Sequence, residues 1–167
     1  MEPVFRRSGF TPPKSPLHAA FTGLFSVRRL YRGRGRRSTH PFAIDLFALE
    51  GSPVCSATRG LVVLAENGWR PGEWFSTSSV RGGNTVIVFD PDGRRFLRYA
   101  HLDSATAVTG LFVEASDVIG TVGHTGFNAD RKGHGRHLHF EINEYDRGTV
   151  RAISRENLKL LLGPAPR

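Results

Sequence analysis

The chain has 167 residues, enough for one well-cored domain and short for two. It is 39% hydrophobic, with no run near the ~20 apolar residues of a membrane span, and its one cysteine, Cys55, excludes an internal disulfide and any cysteine-based zinc site. The net charge of +8 lies wholly in residues 1–39, which hold nine Lys or Arg against one acid, while the other 128 residues hold fourteen of each sign. Residues 1–16, with Pro3, Pro12, Pro13 and Pro16 among basic residues, read as an irregular basic arm. Together with the denser "RRLYRGRGRRS", the arm is attracted to polyanions such as nucleic acid, anionic lipid or teichoic acid, or else is simply solvated. No signal peptide is evident. "LHAAFTGLFSV" is the only apolar stretch near the start, and Arg28 and Arg29 follow where small residues would mark a cleavage site, so it reads as part of the fold.

From about residue 42 the chain becomes short apolar runs separated by Gly, Pro, Asn and Asp. "FAIDLFAL", "GLVVLAE", "NTVIVFD", "RRFLRYAHL", "VIGTVG" and "HLHFEIN" have the length and spacing of strands in a mainly β domain. "DPDG" at 90–93 predicts a hairpin joining 85–89 to 94–101. Residues 66–84 and 124–136 read as long loops, of the kind that often carry function in a small domain. Near the end, Ser154 as N-cap, Leu158, Leu161 and Leu162 as an apolar stripe, and Gly163-Pro164 as a stop predict a short C-terminal helix.

Polar chemistry enters these strands at four places. Asp45 interrupts "AIDL", where a partly buried carboxylate needs a cation or strong donors, from an arginine or a metal. His101 closes "RRFLRYAHL" at what reads as a strand end. In "HGRHLHFEI", alternation puts His137, His139 and Glu141 on one face and Leu138, Phe140 and Ile142 on the other. Glycines 120, 123 and 126 in "VIGTVGHTGF" allow tight turns or the close approach of an extended ligand backbone. Taken singly, each has a plain explanation: an ion pair, an edge histidine, a solvent-facing pair, a turn.

Their order and company say more. "AIDL", "GSPV", "GLVV", "GNTVIV", "YAHL", "IGTVGHTGF" and "HLHFEI" follow one another over about 100 residues. In this the chain resembles the lysostaphin-type (LytM-like) zinc metallopeptidases over roughly residues 20–143. The resemblance implies a compact antiparallel β-sheet domain with a substrate groove between long loops. It would occupy residues 17–167, with its core at about 38–145, behind the 1–16 arm. It further implies one zinc ion per chain held by His40, Asp45 and His139, with His101 and His137 as catalytic residues. The implied activity is hydrolysis of peptide bonds in bacterial peptidoglycan, in the stem or the cross-bridge.

The residue types suit that chemistry on their own. Two neutral imidazoles and a carboxylate leave zinc an open position for water. Two further histidines can divide proton transfer and oxyanion binding, His137 as base and His101 as oxyanion donor, though the two could exchange roles. Glu141 is placed to orient a ligand imidazole. One departure stands out: His40 and Asp45 are five apart with no glycine between, whereas the family's motif spaces them four apart. A bulge at Pro41 absorbs the difference, or else His18, His124 or His134 supplies the third ligand.

Two other readings compete. Loss of ligands would leave a catalytically inactive module that binds peptidoglycan or activates other wall hydrolases. Nucleic-acid binding rests on charge alone and leaves the histidines unexplained, so no specific nucleic-acid partner is expected, and an anionic wall polymer fits the same arm. A peptidoglycan substrate implies the cell envelope or the exterior as the place of action.

Overall fold

The computed structural model describes residues 41–71, 81–127, 129–130 and 133–162. The basic arm, His18, His40, Trp74, Phe75 and Gly163-Pro164 lie outside the described residues. Those described form nine strands and one helix. The strands are β1 (Ile44–Phe47), β2 (Pro53–Cys55), β3 (Gly60–Glu66), β4 (Asn84–Asp90), β5 (Arg95–Ala105), β6 (Phe112–Val113), β7 (Val118–Val122), β8 (His137–Asp146) and β9 (Thr149–Ala152). The helix is α1 (Arg155–Leu162).

Every pairing is antiparallel, and the main order is β1-β8-β5-β4-β3-β6, with β9 beside β8 and β7 bridging β5 to β2. The mainly β, antiparallel expectation therefore holds. One face carries Ile44, Leu46, Leu138, Phe140, Ile142, Leu97, Tyr99, Val86, Val88 and Val62, all buried in a single core with Val54, Ile119 and Val122 of β2 and β7. Period-2 alternation then sends Asp45, Phe47, His137, His139, Glu141 and Arg98 to the opposite face.

The predicted hairpin joins β4 to β5. Its turn is fastened by Asp90 Oδ1, which accepts from the backbone N–H of Asp92 at 3.0 Å and of Gly93 at 2.9 Å, while Oδ2 holds buried Arg95. A second hairpin, absent from the sequence reading, joins β8 to β9. Arg147 and Gly148 both have positive φ, 45° and 82°, as a two-residue I′ turn requires. The helix begins as predicted, with Ser154 Oγ accepting from Asn157 N at 3.3 Å and Leu158 buried in the core. Its first N–H, that of Arg155, reaches the carbonyl of Pro41 at 2.8 Å and so ties the helix to the chain entering β1.

Tyr99 is fully buried, and burial pushes its phenol up to about 12, so it stays protonated. Its oxygen accepts from Ala57 N at 2.9 Å. Tyr99→Phe leaves that amide without its partner, and a loss of about 1–3 kcal/mol is expected in denaturant unfolding. Cys55 is buried too, and burial, then the charge of Asp117, raises its thiol pKa, which disfavours the thiolate that a nucleophile needs.

Candidate functional site

Pairing decides what the isolated motifs could not. β1 lies beside β8 with Asp45 opposite His139 and Phe47 opposite His137, although Asp45 and His139 are 94 positions apart in the chain. His139 Nδ1 lies 3.0 Å from Asp45 Oδ1, and His137 Nε2 lies 3.8 Å from the same oxygen. The His101 ring stands edge-on to both, its centroid 5.0 Å from that of His137 and 5.4 Å from that of His139. All three histidines are 6% exposed, while the Asp45 side chain is 31% exposed at the mouth.

His101 arrives there by an unusual backbone. The sequence reading ended the strand at this residue; instead β5 continues to Ala105, and His101 is the point where it changes neighbours. Before it, β5 pairs with β8 as far as Ala100↔His139, and after it with β7 from Leu102↔Val122. His101 itself has φ 62°, a left-handed conformation rare for a residue with a Cβ and one that collects at functional sites. Its N–H donates to Gly82 O at 2.8 Å and its carbonyl accepts from Gly123 N at 3.1 Å, so the unusual conformation is held from both sides.

Two residues that the sequence reading passed over build this corner. Thr125 O accepts from His101 Nδ1 at 2.7 Å, while Thr125 Oγ1 donates to Leu102 O at 2.6 Å and accepts from Asn84 N at 2.9 Å. Gly135 O accepts from His137 Nδ1 at 2.6 Å. A carbonyl only accepts, so both rings carry their proton on Nδ1 and keep an acceptor at Nε2. Threonines and glycines in loops are too common to give a sequence signal for either role.

The glycines of "VIGTVGHTGF" serve the turn and close-approach reading, and what approaches them is the protein's own backbone. A Cβ on Gly120 would stand 2.6 Å from Ser104 O, one on Gly123 would collide with Asp103 N, and one on Gly126 would stand 2.7 Å from Arg81 O and Gly83 N.

The electrostatics separate the three rings. Burial lowers the His101 pKa to about 3, helped by the charges of His137 and His139. Burial also lowers that of His137, against the Gly135 carbonyl and Asp45. Burial would depress His139 too, but hydrogen bonds to Asp45 and to Glu141, whose Oε1 is 2.7 Å from Nε2, outweigh it and raise its pKa to about 8. Two rings are thus kept neutral beside a third that holds a proton between carboxylates.

An imidazole and a carboxylate side by side are donor types that a small divalent cation accepts, so Asp45 and His139 would be the residues to hold one. Among the described residues, however, no three histidine, cysteine or carboxylate side chains gather as ligands around one point. Of the alternative third ligands, His124 Nδ1 pairs with Glu50 Oε1 at 2.8 Å, and exposed His134 lies near enough to His137 for its charge to act on that ring.

The chain is similar to known proteins over its β domain. Lysostaphin of Staphylococcus simulans is 30% identical over 111 residues, which are 65% of this chain and 20% of that protein. The match thus spans about a fifth of the relative's length. The catalytic domain of the antimicrobial peptidase lysostaphin from Staphylococcus simulans, crystallized in the absence of phosphate, superposes with a TM-score of 0.50 at 29% identity, over 66% of this chain and 74% of that one. The antimicrobial peptidase lysostaphin from the same organism gives 0.52 at 27% identity, over 72% of this chain and 45% of that one. A zinc-containing peptidase from Vibrio cholerae shares the fold, with a TM-score of 0.52 at 24% identity over 86% of this chain and 36% of that one. Residues 39–151 match the model of Peptidase family M23, a span that starts just before His40 and takes in Asp45, His101 and the His137/His139 pair. With more than half of its length under that match, the chain belongs to Peptidase family M23.

Proposed function

We propose that this chain is a zinc-dependent endopeptidase that hydrolyses peptide bonds of bacterial cell-wall peptidoglycan. The observation that carries the reading is the 3.0 Å approach of Asp45 to His139, with the rings of His101 and His137 packed beside them. In this reading Asp45 and His139 are two zinc ligands and His40 is the third. Bound zinc supplies an acidified water, with a pKa near 7, and a Lewis acid for the scissile carbonyl.

The chain's own residues then have separate tasks. His137 takes a proton at Nε2, since its Nδ1–H is committed to Gly135 O, and returns that proton to the leaving amine. His101, with its Nδ1–H on Thr125 O, presents an acceptor while neutral, so the oxyanion role falls to it only once Nε2 is protonated. Neither is a zinc ligand in this reading. His101→Ala and His137→Ala are therefore each expected to keep about one zinc per chain while turnover falls roughly 10²–10⁴-fold. A metal-free preparation of either variant would reverse the assignment.

The direct test is release of new amino groups from purified peptidoglycan, lost with a zinc chelator and restored by added zinc. The five-residue spacing from His40 to Asp45 favours one rival, an inactive module that binds peptidoglycan or activates other wall hydrolases. Protein that purifies without zinc and releases no amines decides for the module.

A further inference from the structure

Beyond His139, the same sheet face carries a second polar pair. The register sets Ala100 opposite His139 and Arg98 opposite Glu141, so Glu141 stands between His139 and Arg98. Glu141 Oε1 accepts from His139 Nε2 at 2.7 Å and from Arg98 Nη1 at 3.3 Å. Gly82 borders the guanidinium so closely that a Cβ there would collide with Arg98 Nη2, and the Gly82 carbonyl is the one that holds His101 N–H.

This geometry constrains which nitrogen of His139 can bind a metal. A neutral imidazole has one N–H, and an ionised carboxylate can only accept. In the structure both ring nitrogens face a carboxylate, Nδ1 that of Asp45 at 3.0 Å and Nε2 that of Glu141 at 2.7 Å; for Nδ1 to serve as a ligand it must give up its proton, and Glu141 then keeps the remaining N–H on Nε2. Glu141 would otherwise turn about its side-chain torsions, and Arg98 holds it from the next strand. Arg98 and Glu141 are 29% and 24% exposed, so their contact is partly shielded from water.

We propose that Glu141 and Arg98, in the clearance left by Gly82, are positioning residues that fix the tautomer and ring direction of His139 for metal binding. The proposal rests on the reading of His139 as a zinc ligand. It is tested by zinc affinity, measured in competition with a chromogenic chelator, in parallel with thermal unfolding of each metal-free variant. Glu141→Ala is expected to weaken zinc binding about 10–100-fold, and Glu141→Gln, which keeps an acceptor oxygen, to recover most of the loss. Arg98→Met is expected to weaken binding by less, about three- to tenfold, and to add nothing in the Glu141→Ala background. Gly82→Ala, which removes no polar group but displaces the guanidinium, is expected to match Arg98→Met and serves where Glu141→Ala fails to fold.

Wild-type affinity in Glu141→Ala, alongside loss of zinc in a His139→Ala control, overturns the proposal and leaves the ligand reading intact. Zinc retained by the His139→Ala control overturns the ligand reading itself. Equal weakening by Arg98→Met in both backgrounds removes Arg98 from the relay.

Discussion

His139→Ala is expected to lose zinc and cleavage together. Purified protein should carry less than about a tenth of a zinc per chain, and turnover should fall roughly four orders of magnitude or more. The size follows from what the metal contributes. Without it, water keeps its ordinary pKa instead of one near 7, and nothing polarises the scissile carbonyl. The fold should survive, because His139 lies on the face of β8 opposite Leu138, Phe140 and Ile142 and fills no part of the core. Metal analysis with a peptide-release assay checks both halves, and zinc retained at wild-type stoichiometry contradicts the ligand assignment.

A large effect on stability is expected at a residue with no side chain. Gly126 has φ 98°, where an L side chain costs about 1–2 kcal/mol. A Cβ there would stand 2.7 Å from Arg81 O and Gly83 N and 2.8 Å from Gly82 C, all backbone atoms with little freedom to yield. Overpacking against such neighbours adds roughly 1–3 kcal/mol. Gly126→Ala should therefore lose about 2–5 kcal/mol in denaturant unfolding. Activity should suffer beyond the stability loss, since Gly126 follows Thr125, whose carbonyl fixes the His101 ring and whose hydroxyl ties Leu102 to Asn84. A variant that melts like wild type would show that the 81–83 segment gives way easily.

These two sites differ in how far the sequence exposed them. Alternation at 137–142 is a local pattern with a period of two, so the shared face of His137, His139 and Glu141 could be read directly from the letters, as could the DPDG hairpin and the Ser154 cap. Asp45 stood out because a carboxylate among Phe42, Ala43, Ile44, Leu46 and Phe47 demands a partner, and that partner proved to be on β8. The glycines were visible, and the letters left open what they admit. A glycine announces a close approach without naming what approaches, and here it is residues 81–83 and 103–104 of the same chain.

Thr125, Gly135 and Arg98 gave no signal at all. Their roles depend on where loops and neighbouring strands come to rest, and nothing in a threonine, a glycine or a surface arginine says that an imidazole or its carboxylate will stand beside it. The His101 kink was equally invisible. It arises where β5 leaves β8 for β7, and a change of partner is a property of three strands at once.

The letters alone therefore determined the strand-rich class, the faces of individual strands, the C-terminal helix and most of the residue types that carry the chemistry, because each depends on spacing within a few positions. Only the tertiary structure decided that Asp45 meets His139 across 94 residues, which nitrogen of each histidine faces inward, and which backbone carbonyls hold those rings in place. Those outcomes come from strand register and long-range packing, where a slip of one residue would turn every side chain of the strand to the other side of the sheet.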